Sequence, residues 1–244
     1  MTTDLRVLPG AKALAAAVAA EVAHVLAEAA GERGWASIAL AGGNTPRTLY
    51  AALAADHRDD VPWARLQVFW GDERDVPPND ERSNYRMARE TLLDAVAVPQ
   101  LQVHPMPTGA GDPEAAAVAY ERRLRRGFNG EWPAFDLVLL GLGEDGHTAS
   151  LFPRSPALAE RVRWVVPSLA PVEPRQRLTL TLPALTHAHR IFLVAAGRAK
   201  AEPLRRALTG APGPDCPASL LRIGSAPVTW WADAAAAPAS PGSD

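Results

Sequence analysis

Asp145 and His147 stand two residues apart in the run Gly141-Leu142-Gly143-Glu144-Asp145-Gly146-His147. An imidazole titrates near neutrality, so it can both take and return a proton. A neighbouring carboxylate can orient the ring and balance its charge once it is protonated. The glycines let the backbone turn sharply and let a ligand come close. Directly before this run, residues 135–140 are apolar but for Asp136, the signature of a strand buried on both faces. In an open α/β sheet, the carboxyl end of such a strand is where ligands bind. The spacing Gly141-x-Gly143-x-x-Gly146 also fits a dinucleotide fingerprint. That reading fails on context, because Pro153 stops any helix within two turns and no acid ends a following strand.

Three further groups could join the site. Leu40-Ala41-Gly42-Gly43-Asn44-Thr45-Pro46 is another strand end entering a helix. Its exposed N–H groups and helix start suit a phosphate. An ordinary glycine turn capped by Asn44 or Thr45 would read the same way. Gly71-Asp72-Glu73-Arg74-Asp75 follows a third apolar run. With Ser83-Asn84-Tyr85 following, it is either a solvated loop or a site in which its carboxylates orient a base and Arg74 holds an oxygen-rich substrate. Arg177 precedes an alternating Leu/Thr stretch. Lys200 stands near a helix start, where the dipole disfavours a cation unless an anion sits beside it.

Strands and helices must carry these groups. Helices are expected over 11–30, from Pro46 to about 55, from Ser83 to about 96, from Asp112 to about 126, and from Arg198 to about 208. Strands are expected over 35–41, 66–70, 101–106, 135–140, 162–166, 178–182, 191–196 and 228–231. This alternation predicts one α/β domain, with a mostly parallel sheet and helices on both faces. The catalytic domain is expected over 1–233, with 234–244, rich in Ala, Pro, Ser and Gly, as a frayed tail.

Composition narrows the class. The formal net charge of −2 argues against nucleic acid as the main partner. Cys216 is the only cysteine, so no intrachain disulfide and no cysteine zinc cluster are expected. No apolar run is read as a membrane span, and the start of the chain lacks a signal-peptide layout. A cytoplasmic monomer is expected. Of 25 basic residues only Lys12 and Lys200 are lysines, a compositional bias that singles out Lys200.

Taken together and in order, AGGNTP (41–46), FWGDERDVPPNDERSNY (69–85), LGLGEDGHTASLFP (140–153), RLTLTLPAL (177–185) and GRAKAEPL (197–204) resemble the 6-phosphogluconolactonases. The resemblance implies a Rossmann-like fold shared with glucosamine-6-phosphate deaminases. It also implies cofactor-free, metal-free hydrolysis of 6-phospho-D-glucono-1,5-lactone in the oxidative pentose phosphate pathway. His147 would be the acid/base, supported by Asp145 or Asp72. Arg74 would hold the lactone, and Gly42, Gly43, Asn44, Thr45, Arg177 and Lys200 the phosphate. The deaminases are the rival reading. They typically carry an Asn-Glu-Pro run after the histidine turn and an aromatic residue after the Asp-Glu pair. This chain has Ser150-Leu151-Phe152-Pro153 and Arg74 instead. A non-catalytic sugar-phosphate sensor is the third reading, and no segment for a partner supports it.

Overall fold

A computed structural model describes residues 4–109 and 111–238. In chain order the elements are β1 (Asp4–Leu8), α1 (Ala11–Arg33), β2 (Ala36–Leu40), α2 (Asn44–Asp56), β3 (Leu66–Trp70), β4 (Asp72–Arg74), α3 (Asn84–Ala88) and α4 (Pro113–Gly127). Then come β5 (Leu137–Gly141), β6 (Val165–Leu169), β7 (Gln176–Leu180), α5 (Leu182–Thr186), β8 (Ile191–Ala195), α6 (Ala201–Thr209) and β9 (Val228–Asp233).

Six strands form an all-parallel sheet in the order β1-β9-β8-β5-β2-β3. The central strands are apolar apart from the buried Ser37 of β2, because both faces are covered. Every residue of β2 and β8 is buried. From β2 the chain proceeds outward to β3 on one side, while β5, β8 and β9 lie on the other. The order therefore reverses between β2 and β5. A crevice opens at such a switch point, outside the strand ends. The glycine runs after Leu40 and Leu140 both empty into it.

The charged segment after β3 is not a solvated loop. Gly71 alone separates β3 from β4, and β4 opens a second, antiparallel sheet in the order β4-β7-β6. The strands expected at 162–166 and 178–182 belong here, shifted to 165–169 and 176–180. Leu180 N donates to Gly71 O (2.8 Å) and Thr181 N to Trp164 O (2.9 Å). Glu121 of α4 guards the outer edge of β6, accepting from Trp164 N (2.8 Å) and Val165 N (3.3 Å).

The expected helices form, with local differences. Gly34 ends α1 in the left-handed conformation, φ 83°. Asp112 caps α4, accepting from Glu114 N (3.0 Å) and Ala115 N (3.2 Å). The helix from Ser83 stops being α-helical at Ala88 and closes as a π turn over Arg89–Leu93, short of 96. The strand expected at 101–106 is a short turn over Gln100–Gln102 and one parallel bridge, Val68 to Val103. Helix α1 does have the length and apolarity of a membrane span. Its Ala-rich sequence hides this from a reading by large side chains, and its Leu and Val side chains are buried in the core. Past the boundary expected at 233, Ala234 N donates to Leu8 O (2.8 Å) and Ala236 is buried. The rest of the expected tail, 239–244, lies outside the described residues.

Candidate active site

The histidine turn is built by its own backbone. Gly143 N donates to His147 O (2.8 Å) and Gly146 N to Gly143 O (3.0 Å). Gly143 is required by space. A Cβ there would lie 2.0 Å from His147 Nδ1. The ring is held at that nitrogen, with Nδ1 to Asp145 Oδ1 at 2.6 Å, while His147 N also donates to Asp145 Oδ1 (3.0 Å). Phe152 packs against the ring, centroids 4.6 Å apart. Burial pushes the Asp145 carboxyl up, but the hydrogen bonds from His147 outweigh it and hold it below the usual range. An ionised Asp145 requires the proton on Nδ1, which leaves a lone pair on Nε2. His147 lines a cavity of about 210 Å³. Asp145 does not line it; Asp145 is the support behind the ring.

The cavity occupies the switch-point crevice. Its polar side chains are Asp72, Arg74, Asn84, His147 and Lys200, and Gly42 and Gly43 form one wall. Asp72 is the one carboxylate lining it. Ser150 Oγ donates to Asp72 Oδ2 at 2.6 Å. Ser150 is itself fixed, its N donating to Thr179 Oγ1 (3.2 Å) and its O accepting from Ser168 Oγ (2.7 Å). A larger hollow of about 640 Å³ lies beyond Phe152, lined mostly by proline, leucine and alanine. Its one carboxylate is Asp145, already engaged by His147.

Two buried tyrosines finish the strand ends that frame the crevice. Tyr50 OH donates to Ala41 O (2.8 Å) and accepts from Ala41 N (2.9 Å). Tyr120 OH accepts from Trp70 N (2.9 Å). Burial pushes both phenols up.

A family model described as glucosamine-6-phosphate isomerases/6-phosphogluconolactonase matches residues 9–230. The chain belongs to that family. It is 48% identical over 178 residues to a 6-phosphogluconolactonase of Synechocystis sp., covering 72% of each chain. It is 37% identical over 249 residues to one of Mycobacterium leprae, covering 99% of this chain and all of the relative. The solved 6-phosphogluconolactonase from Trypanosoma cruzi superposes with a TM-score of 0.85 at 30% identity over 96% of each chain. Within the family the chain falls with the 6-phosphogluconolactonases, which are hydrolases.

Against the family resemblance, the expected site residues divide. His147, Asp72, Arg74, Lys200, Gly42 and Gly43 converge on one cavity. Asn44 and Thr45 do not line it; they face a neighbouring hollow of about 280 Å³ with Thr48, Gly197 and Asp233. Neither caps α2 through its side chain, and Gly43 is the capping residue. Lys200 Nζ lies 3.8 Å from Glu144 Oε1, a loose pairing. Arg177 stands opposite Arg74 in the β4–β7 pair and does not line the cavity. It is buried, and its Nε has no partner. Burial and the adjacent Arg74 lower its basicity. Sequence reasoning missed Ser150 as the support of Asp72, and it named Glu73 and Asn84 only as members of the charged segment, without a role of their own. The signal for Glu73 was the alternation of β4, which turns the middle of three charged residues away from its neighbours.

Proposed function

We propose that this chain hydrolyses 6-phosphoglucono-δ-lactone to 6-phosphogluconate in the oxidative pentose phosphate pathway. The carrying observation is His147, clamped at Nδ1 by Asp145 on a cavity wall shared with Asp72, Arg74, Lys200 and the glycine loop. Nε2 takes a proton from water as that water adds to the lactone carbonyl. The imidazolium then returns the proton to the ring oxygen as the carbon–oxygen bond breaks. Asp145 balances the transient positive charge. Asp72 is an acceptor that orients the water. Arg74 stabilises the oxyanion, and Arg177 behind it adds positive potential. Backbone donors of Gly42 and Gly43, together with Lys200, hold the phosphate. Anchoring the phosphate positions the carbonyl. No step uses a metal or a nucleotide. One chain carries every residue invoked, in keeping with a cytoplasmic monomer.

Proton release from freshly made lactone, corrected for spontaneous hydrolysis, tests the reading. Lys200→Ala should weaken binding of lactone and of 6-phosphogluconate by roughly 10- to 150-fold. It should barely change the slow hydrolysis of unphosphorylated gluconolactone. Equal damage to both substrates would remove Lys200 from phosphate recognition. Absence of lactonase activity, with ammonia released from glucosamine 6-phosphate, would replace the reading by the deaminase one.

A further inference from the structure

Strand β4 sends its side chains to two sides. Asp72 and Arg74 face the cavity, while Glu73 faces the start of α3 and is 1% exposed. Its Oε1 accepts from Arg74 N (2.7 Å) and Asn84 N (2.8 Å). Its Oε2 accepts from Tyr85 N (2.8 Å) and Ser83 Oγ (3.0 Å). All of these partners lie within or beside the two segments that the carboxylate ties together. Asn84 extends the tie. Its Nδ2 donates to Asp72 O (3.0 Å). Its side chain also fills the space above Gly42, where a Cβ would lie 1.8 Å from Asn84 Oδ1. One buried side chain thus touches both the glycine loop after β2 and the acid strand after β3.

We propose that Glu73 and Asn84 are positioning residues for the lactonase reaction: Glu73 anchors Asn84, and Asn84 sets the separation between the Gly42 loop and the Asp72–Arg74 face. The inference rests on the reading above, in which the substrate spans these two walls by its phosphate and its lactone. A residue that fixes their separation then governs where the carbonyl sits relative to His147. Glycine at 42 is part of the same device. Residue 42 needs no unusual backbone angle, and the three atoms nearest to a Cβ there all belong to the Asn84 side chain.

The test is a cycle of Gly42→Ala, Asn84→Ala and their double variant, beside Glu73→Gln. Each is assayed on phosphorylated and unphosphorylated lactone, with thermal melting to verify folding. Gly42→Ala should lose about 100-fold or more in kcat/KM, and adding Asn84→Ala should recover about tenfold of that loss by removing the clash, leaving the double variant near the activity of Asn84→Ala alone. Asn84→Ala alone should lose about tenfold, mainly in kcat, on the phosphorylated lactone, and much less on the unphosphorylated one. Glu73→Gln should behave like Asn84→Ala. Whichever end of its amide carries the NH₂ must face a backbone N–H, because each carboxylate oxygen accepts from at least one. Wild-type kinetics in Asn84→Ala and Glu73→Gln would overturn the proposal, as would a double variant no better than Gly42→Ala. If Gly42→Ala does not fold, equal losses on both lactones in the other two variants would overturn it. His147→Ala, assayed alongside, separates the two levels. Its full activity would reject the reaction assignment itself.

Discussion

His147 reaches the cavity through one nitrogen, because Asp145 occupies the other. His147→Ala should therefore fold normally and lose about 10²–10⁴-fold in kcat. Asp145→Asn should also lower kcat with little change in KM, since an amide at that place no longer selects the Nδ1–H tautomer. The sequence placed two carboxylates as candidate supports for this ring. Geometry separates them, with Asp145 behind the ring and Asp72 on the wall, held by Ser150. Nothing local to residue 72 announces Ser150, which is 78 positions away.

At the scale of elements, function collects where strands stop. Strand β2 stops at Leu40 because the Tyr50 hydroxyl takes both backbone groups of the next residue, Ala41. Tyr50→Phe keeps the ring in its buried place but strands the Ala41 N–H at the root of the glycine loop. Leaving a buried donor unpaired costs about 1–3 kcal/mol. We expect a lower melting temperature and a raised KM for the phosphorylated lactone. An unchanged melting temperature would show that Ala41 finds another partner. Elements read from long apolar runs, such as β2, β3, β5 and β8, were legible because burial on both faces leaves an unambiguous pattern. Strand β1 was not, since an exposed edge strand reading Asp-Leu-Arg-Val-Leu has no such pattern. Strand β4 was not, because it consists of three charged residues in a row.

The two sheets act as one body. Gly71 is the only residue between β3 and β4, and the cavity takes side chains from both sheets. Unfolding in denaturant should accordingly show one transition, coincident by tryptophan fluorescence and far-ultraviolet circular dichroism. Saturation with 6-phosphogluconate at about 100 times its Kd should add about 2.7 kcal/mol to that stability. Two separated transitions would show that the antiparallel sheet melts alone.

The sequence by itself determined five strands of the main parallel sheet (β2, β3, β5, β8 and β9), the histidine turn and the glycine loop, because each is written in contiguous residues whose periodicity or spacing carries its own physical meaning, and its motifs carried the family resemblance. Tertiary structure alone decided what depends on distant partners. It joined the strands near 165 and 178 to the charged stretch after Gly71 as a second sheet. It turned Asn44 and Thr45 toward a neighbouring hollow and set Arg177 behind Arg74 rather than on the cavity wall. It buried Glu73 and brought Asn84 onto Gly42. Local pattern reports which face of an element is apolar, whereas the direction in which a polar side chain finds its partner is set by whichever strand or loop the fold lays beside it.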